Sequence, residues 1–571
     1  GWHVPCSFLK SKGLGKEPAM KTGSKGWERA AILAVALLLI SSCGGAGSTS
    51  ADISSEGGTG ISNTFNSTSE MGVCDIMPIE VGDGTAVVDF EGVEGGANFI
   101  LAVGSASTSG LASPVRLAAD ESLPEPSIAG DPLAKAMDME DDGYGPQQVL
   151  SAWLRAYEHE LAETELPPES AYDGSYSKSA GFKAMKAVSV GEIEDFKVLA
   201  SLTSVSSFVT VTARVRCVGQ NVVFYVDTDP EPDGMVSDEQ VNELCDYFDR
   251  VAGLEQGLLG SLSDVDGNGK LDVLMTKQIN KLGSLGGGIV TGYFYASDLY
   301  EPNEAARSNL ASNEREIIYT MVPDPAGRYG TPISDEFAMS NLLPAVLPHE
   351  LQHAISYNQH VFVNGGQPEE NWLNEAMSHF IEDYMGYNVE NPSRYSMYLA
   401  SPSTYGIVTQ GSPNLMERGG SYLFLRYLYE QASDGDAFLR ALSQTGRRGV
   451  GNIEAAFGGA SDFNKFSQFM ARWTVALAMT DRGNCNDPRY TYRPRVRAET
   501  GNWQGVCLDC DAEDNRGTVL RGVNLNDYYG YHNPTVDAST AMFYELTTLP
   551  NSMSITGTQG GGNYAVLIRT R

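Results

Sequence analysis

The chain has 571 residues, 42% of them hydrophobic, and its formal net charge is −33. This length and apolar content predict two to four domains with substantial cores and exclude a small module held together by disulfides. The acidic charge argues against nucleic acid and anionic lipid surfaces as partners, because both would repel such a protein.

Residues 20–42 have the layout of a bacterial export signal. Basic residues follow Met20, and an apolar run then extends over 30–40. This run is shorter than the roughly 20 residues that a membrane-spanning helix needs. We therefore predict an upstream extension at 1–19 and a signal peptide at 20–42.

The apolar run ends in ISSC, which resembles the lipobox of bacterial lipoproteins. In those proteins the cysteine is acylated and becomes the mature N-terminus. The resemblance implies that Cys43 carries a lipid anchor that holds an exported protein in the membrane, at the bacterial cell envelope or outer membrane surface. The alternative is an ordinary signal peptide with a cysteine nearby.

Composition and hydrophobic periodicity divide the rest of the chain into five regions. The alternation in FVTVTARV is typical of a half-buried antiparallel strand, and QQVLSAWLRAYEHELAE is typical of a helix. Strands followed by helices predict an α+β catalytic unit between mainly β modules. The regions are a Gly, Ser and Thr-rich tether at 43–73, a mainly β domain at 74–218, a catalytic domain at 219–400, its helical lobe at 401–485 and a β module at 486–571.

The cysteines after Cys43 are even in number, which in an exported protein favours disulfides. The sequence does not assign their pairing. The segment CLDC at 507–510 lacks the second CxxC that a zinc knuckle would need, so we predict a structural disulfide there.

The segment VLPHELQHAISY contains an HExxH arrangement. Its spacing places His349 and His353 one turn apart on one helical face, so both imidazoles can bind one metal ion. Glu350 is rotated from His349 by about 100° and can reach a water beside the metal instead. The alternative is an amphipathic helix in which both histidines are ordinary core residues.

A catalytic zinc site needs a third protein ligand. The metzincin pattern requires Gly and His three and six residues after the second histidine, but Ser356 and Gln359 stand there. The gluzincin pattern takes a glutamate from a second helix, and NWLNEAMSHFIEDY supplies Glu375. Glu375 is therefore the predicted third ligand.

The stretches LPHELQHAISYNQH and NWLNEAMSHFIEDY resemble the hyicolysin family of bacterial zinc metallopeptidases, which are gluzincins with a thermolysin-like catalytic core. The resemblance covers roughly residues 220–480 and is weak outside them. It implies that His349, His353 and Glu375 bind zinc and that Glu350 is the general base.

The chain departs from the thermolysin-like pattern four residues after the third ligand. His379 stands there in place of an aspartate that orients a zinc histidine. Either Glu382, on the same helical face, supplies this carboxylate, or His379 acts directly. Pro344 and Pro348 predict a late start or a kink in the helix that carries the motif.

The tetrahedral oxyanion of peptide hydrolysis needs a donor besides the metal. Tyr422, on the helix after ERGG, is the predicted donor, with His379 and Tyr405 as alternatives. The opposing interpretation is that Tyr422 belongs to the hydrophobic core. The segment GGGIVTGYFYAS is either an edge strand that pairs with an extended peptide or ordinary sheet.

The segment SDVDGNGKLDV places oxygen ligands at alternate positions, as a calcium loop does. Met275 stands where such a loop has its bidentate glutamate, so a carboxylate from elsewhere is needed. An Asx-rich turn without a metal is the alternative. The predicted calcium ligands are Asp264, Asp266, Asn268, the Lys270 carbonyl and Asp272.

These patterns predict a lipid-anchored zinc metalloendopeptidase that acts on protein or peptide substrates. An aminopeptidase is disfavoured because the chain lacks the Gly-x-Met-Glu-Asn segment that holds a free amine in that branch of the gluzincins. The rival class is a catalytically inactive, metal-binding surface adhesin on the same fold.

Overall fold

The computed structural model describes residues 64–81, 84–109, 112–120, 145–165, 188–204, 206–228, 236–302, 310–458, 463–483, 485–511 and 517–571. The predicted extension, signal peptide, Cys43 and most of the tether lie outside these residues. Among the described residues, no helix combines the length and apolar character needed to cross a membrane.

The described chain has a mixed α+β architecture. The strands are β1 (Thr64–Ser67), β2 (Ile76–Ile79), β3 (Thr85–Asp89), β4 (Phe99–Ser105), β5 (Ser113–Pro114), β6 (Arg116–Ala119), β7 (Ile193–Leu199), β8 (Phe208–Val218), β9 (Val222–Asp227), β10 (Leu271–Met275), β11 (Gly292–Phe294), β12 (Ile317–Thr320), β13 (Val496–Arg497), β14 (Trp503–Gln504), β15 (Asn526–Asp527), β16 (Tyr531–His532), β17 (Thr535–Val536), β18 (Ala541–Leu546), β19 (Ser552–Thr556) and β20 (Asn563–Arg569).

The helices follow the same order along the chain. They are α1 (Pro146–Thr164), α2 (Asp238–Leu259), α3 (Lys277–Leu285), α4 (Asp335–Phe337), α5 (Leu343–Tyr357), α6 (Asn371–Tyr384), α7 (Asn391–Ala400), α8 (Leu415–Gln431), α9 (Gly435–Ser443), α10 (Gly449–Phe457) and α11 (Phe466–Met479).

A six-stranded central sheet carries the site described below. Its order is β11-β12-β10-β9-β8-β7, with β9, β10 and β12 parallel and the other strands antiparallel to their neighbours. The inner strands β9, β10 and β12 are buried throughout, as expected for apolar strands covered on both faces. The short strand β11 forms one edge of the sheet.

The predicted boundary between residues 218 and 219 is wrong. It separates β8 from β9, but these strands form an antiparallel pair within the central sheet, with Val218 opposite Val223. The alternation in β8 correctly predicted a strand. It could not show which strand β8 pairs with, because pairing depends on residues distant in sequence.

The two β modules predicted at the ends of the chain share their sheets. N-terminal β4 lies between C-terminal β18 and β20, and C-terminal β19 lies between N-terminal β3 and β6. The prediction of two separate modules is therefore corrected to one β unit built from both ends of the chain. Its apolar side chains form a core of their own, which includes Val88, Phe99 and Leu567.

All six cysteines after Cys43 form disulfides. Cys74 pairs with Cys485 and joins the N-terminal region to the end of the helical lobe, and Cys217 pairs with Cys245 and joins β8 to α2. The predicted disulfide within CLDC is confirmed as Cys507–Cys510.

The helical stretch that carries the HExxH motif does not begin late, because α4, a π-helical turn and α5 follow one another without a break from Asp335. A π-helical turn at Ala338–Leu342 precedes α5, which begins at Leu343. Pro344 lies at the start of α5, directly after the π-helical turn, and Pro348 lies inside the helix. The next turns carry both histidines, so neither proline prevents the spacing that the ligands need.

Candidate metal centre

Helix α5 presents the two motif histidines side by side. The ring centroids of His349 and His353 are 4.9 Å apart, and the exposed fractions of the two residues are only 7% and 2%. Two imidazoles this close in a nearly dry environment are a suitable pair of ligands for a divalent transition metal.

Helix α6 adds the carboxylate that the sequence predicts. Oε2 of Glu375 lies 3.6 Å from Nε2 of His349, and Oε1 lies 3.8 Å from Nε2 of His353. Oε1 is buried and has no hydrogen-bond partner. One ligand atom from each of the three residues lies within 4.8 Å of the others. Two facing imidazole nitrogens and an unpartnered carboxylate oxygen fit a tetrahedral zinc ion.

A second carboxylate stands behind the first histidine. Oε1 of Glu382 lies 2.7 Å from Nδ1 of His349 and 2.9 Å from Nδ1 of His379. Of the two predicted arrangements, the structure therefore has Glu382 supplying the carboxylate to His349. Because a carboxylate accepts, Nδ1 of His349 carries the proton and Nε2 is left available for a metal.

The electrostatics of this cluster favour a cation at His349. Burial alone lowers the pKa of His349, but Glu375, Glu382 and Glu350 overcome this effect and raise it to about 9. Burial lowers the pKa of His379 to about 3, and the charge of Arg394 adds to that effect. The negative charges that favour a proton on His349 equally favour a metal ion beside it.

Arg418, which the sequence analysis did not single out, pairs with the third ligand. Its Nη1 donates to Oε2 of Glu375 at 2.5 Å, and both side chains are buried. Although burial favours a neutral Glu375, Arg418 holds the pKa of this carboxyl well below its ordinary value. The only sequence signal is a basic residue opening a largely apolar helix, which is too common to point to a site.

Glu350, on the motif helix α5, points its carboxylate at the edge strand of the central sheet. Its Oε2 accepts a hydrogen bond of 2.9 Å from the backbone N–H of Phe294, in β11. Burial raises the pKa of Glu350, and the charges of His349 and Arg155 oppose the rise. Glu350 is thus held next to the ligands and beside the strand predicted to receive a peptide.

The predicted role of Tyr422 as oxyanion donor is not supported. Tyr422 is fully buried, its hydroxyl donates to Oδ2 of Asp383 at 3.1 Å, and its ring stacks on Tyr395. Asp383 also accepts from Arg426 and from the N–H of Gly505. The core interpretation of Tyr422 is the better one, because its hydroxyl is committed to a buried network.

The carboxylates that converge at the predicted calcium loop differ from those that the sequence predicts as ligands. Asp264 and Asp266 lie near each other and near Glu316, which precedes β12, with oxygens within 4.8 Å of one another. Asp272 instead lies inside β10 and forms an ion pair of 3.0 Å with Arg315, so its assignment as a ligand is corrected.

The remaining predicted loop residues make local contacts. Asn268 donates from its side chain to Asp266 and accepts from the N–H of Lys270, and the N–H of Gly269 donates to Asp264. These contacts set the sharp turn that the Asx-rich sequence predicts.

A comparison with protein-family models found no match, and neither did a comparison with curated proteins.

Proposed function

We propose that the chain is a zinc-dependent metalloendopeptidase of the gluzincin type, with a thermolysin-like catalytic core, that hydrolyses protein or peptide bonds. The observation that carries this proposal is the convergence of His349, His353 and Glu375, with the Glu350 carboxylate close enough for the charges of His349 and Glu375 to act on it. The resemblance of the two helical stretches to the hyicolysin family supports the same conclusion.

The chain's own residues supply the proton transfers of such a reaction. When bound, zinc would polarise the scissile carbonyl and lower the pKa of a water to about 7. Glu350 accepts a proton from the attacking water and donates it to the leaving amine. Arg418, whose Nη2 is buried without a hydrogen-bond partner, provides the second donor for the developing negative charge in place of Tyr422.

The position of β11 at the end of the central sheet supports an extended peptide as the substrate. Strand β11 ends the sheet order, and its Phe294 N–H contacts Glu350. A peptide that adds to this edge brings its backbone carbonyl next to the general base and the metal ligands. Recognition through backbone groups suits an endopeptidase, because it does not depend on a free chain end.

The deciding experiment measures zinc content and peptide cleavage on the same preparation. We expect about one zinc per chain, in keeping with one set of three ligands, together with cleavage of casein and of an internally quenched peptide. A chelator should abolish cleavage, and added zinc should restore it. Zinc binding without cleavage of any peptide, both in the unmodified chain and in variants that loosen α1, would favour the metal-binding adhesin.

We further propose that calcium binds Asp264, Asp266 and Glu316 as a structural ion. Glu316 has an exposed fraction of 3%, and its Oε2 has no hydrogen-bond partner. Burial raises the pKa of Glu316 to about 7. A hard cation would remove the cost of charging this carboxyl, and three carboxylates are the ligand type that calcium prefers.

For location, we propose that the chain is an exported lipoprotein anchored through Cys43. This proposal rests on the order of three features in the sequence: basic residues after Met20, an apolar run, and the segment ISSC that ends at Cys43. In a bacterial host, Cys43→Ser should abolish labelling with radioactive palmitate and move the protein from the membrane fraction to the soluble one. Unchanged labelling would refute the anchor.

A further inference from the structure

The backbone of β11 has an outward edge whose polar groups a substrate would use. The carbonyl of Thr291 accepts from the N–H of Met321, and Tyr293 pairs with Tyr319. Because consecutive residues of an antiparallel strand face opposite ways, Gly292 and Phe294 direct their backbone groups away from β12. These groups form the edge at which an added strand would pair.

Helix α1 already occupies this edge. Gln147 Nε2 donates to the carbonyl of Gly292 at 3.0 Å, and Gln147 Oε1 accepts from the N–H of Thr291 at 2.9 Å. Arg155 Nη2 donates to the carbonyl of Phe294 at 3.2 Å. The side-chain amide of Gln147 and the guanidinium of Arg155 thus make the hydrogen bonds to β11 that the backbone of a bound peptide would make.

Aromatic and apolar contacts hold α1 against the same segment. Trp153 stacks on Tyr157, and Tyr157 stacks on Tyr295, which follows β11 directly, with ring centroids 5.5 and 6.3 Å apart. Leu161 packs in a cluster with Phe294 and with Tyr357 of the motif helix. The helix therefore covers the edge strand along its whole length.

A buried ion pair on α1 faces the candidate metal ligands. Nη1 of Arg155 lies 3.0 Å from Oε1 of Glu158, and both residues are at least 97% buried. Burial raises the pKa of Glu158 to about 8; the Arg155 charge opposes the rise, and the nearby Glu350 and Glu375 carboxylates add to it. These buried polar side chains therefore place α1 close to the proposed general base and the third proposed ligand.

We propose that α1 is an autoinhibitory segment that takes the place of an extended peptide on β11, so that the chain is produced as a latent peptidase. The inference rests on the proposed function. Activation requires α1 to leave the edge strand, after which the carbonyls of Gly292 and Phe294 are free to accept hydrogen bonds from a substrate backbone.

The first test removes the polar contacts of α1 in the full chain. The variant carries Gln147→Ala, Arg155→Ala and Glu158→Ala, and its matched control carries Glu160→Ala and Glu163→Ala on the exposed face of the same helix. We expect the variant to hydrolyse a quenched peptide at least about tenfold faster than the unmodified chain, as loss of a charge-assisted hydrogen bond would allow. The control should match the unmodified chain.

The second test uses the unmodified chain and does not depend on how well the variant folds. A peptide hydroxamate, which combines an extended backbone with a zinc-binding group, is added while amide hydrogen exchange is measured. If the peptide displaces α1, exchange at 146–164 accelerates. Unchanged exchange in α1 while the hydroxamate is bound would overturn the inference.

The outcomes separate the inference from the function on which it rests. Equal or lower activity in the variant, with zinc content and the melting curve retained, refutes autoinhibition but leaves the peptidase proposal intact. If neither form cleaves peptides and neither binds the hydroxamate, the proposed function fails and the inference fails with it.

Discussion

Glu382 Oε1 lies 2.7 Å from Nδ1 of His349, while Nε2 of the same ring lies 3.6 Å from Glu375. One histidine is thus held between the carboxylate that orients it and the carboxylate of a proposed metal ligand. A hydrogen bond of this kind fixes the tautomer and makes the other ring nitrogen a better metal ligand. In the thermolysin-like pattern an aspartate at the position of His379 orients a histidine. Here Glu382 makes that contact with His349 instead.

Glu382→Gln should weaken zinc binding without removing any proposed ligand. The amide keeps the shape of the side chain but loses the charge, so we expect zinc affinity to fall by about 10-fold to 100-fold. Competition against a chromogenic chelator measures this affinity. Glu336→Gln, at an exposed position, is the control; an affinity in Glu382→Gln equal to that of the control would rule out the orienting role.

Glu350→Gln and Glu375→Ala should separate the general base from the ligand. Glu350→Gln should retain zinc and lose peptide hydrolysis by a factor of at least roughly 100, because general-base catalysis contributes that much. Glu375→Ala should lose zinc and activity alike, because it removes one of the three proposed ligands.

His360→Gln is the matched control for this pair. His360 is buried near α5 but lies outside the proposed ligand set, with its Nε2 4.0 Å from Glu369. It should retain zinc and activity. Loss of zinc in His360→Gln, together with full zinc in Glu375→Ala, would contradict the gluzincin assignment.

Calcium should raise the melting temperature of the zinc-loaded chain, and Glu316→Gln should abolish that rise. Calcium at about 100 times its dissociation constant would stabilise the fold by about 2.7 kcal/mol. Asp272→Asn should lower stability through its lost ion pair with Arg315 and still respond to calcium. A calcium response lost in Asp272→Asn and kept in Glu316→Gln would support the loop pattern of the sequence instead.

Glu255 should make the protein less stable as pH rises. This residue of α2 is fully buried, both its carboxylate oxygens lack hydrogen-bond partners, and burial raises its pKa well above the ordinary value. The folded state therefore holds a proton that the unfolded state releases above its ordinary pKa. The stability linked to this proton is present at low pH and decreases as pH rises from that value towards the folded-state pKa.

Glu255→Gln removes this dependence because the amide does not titrate. We expect its melting temperature to exceed that of the unmodified chain at pH 8 by more than at pH 5, measured by thermal unfolding at both values. Glu243→Gln, on the exposed face of the same helix, should show no such difference. A constant difference between Glu255→Gln and the unmodified chain at both pH values would contradict the prediction.

The local patterns of the sequence predicted many of the helices and strands and the proposed ligand set. Residues four apart on a helix share a face regardless of what surrounds it, so HELQH alone predicts that His349 and His353 converge. In the same way, the alternation in FVTVTARV predicted that β8 is a strand with one buried face.

Tertiary structure decided everything that depends on partners distant in the chain. The pairing of β4 with β18 and β20, the approach of Glu316 to Asp264, and the contact of Arg418 with Glu375 all join residues whose separation in sequence leaves no periodic signal. Helix α1 is the clearest case. Its amphipathic pattern predicted a helix, but only the packed fold places Gln147 and Arg155 on the outward edge of β11. The reason is that the backbone groups of β11 that no neighbouring strand pairs are known only once the sheet has formed.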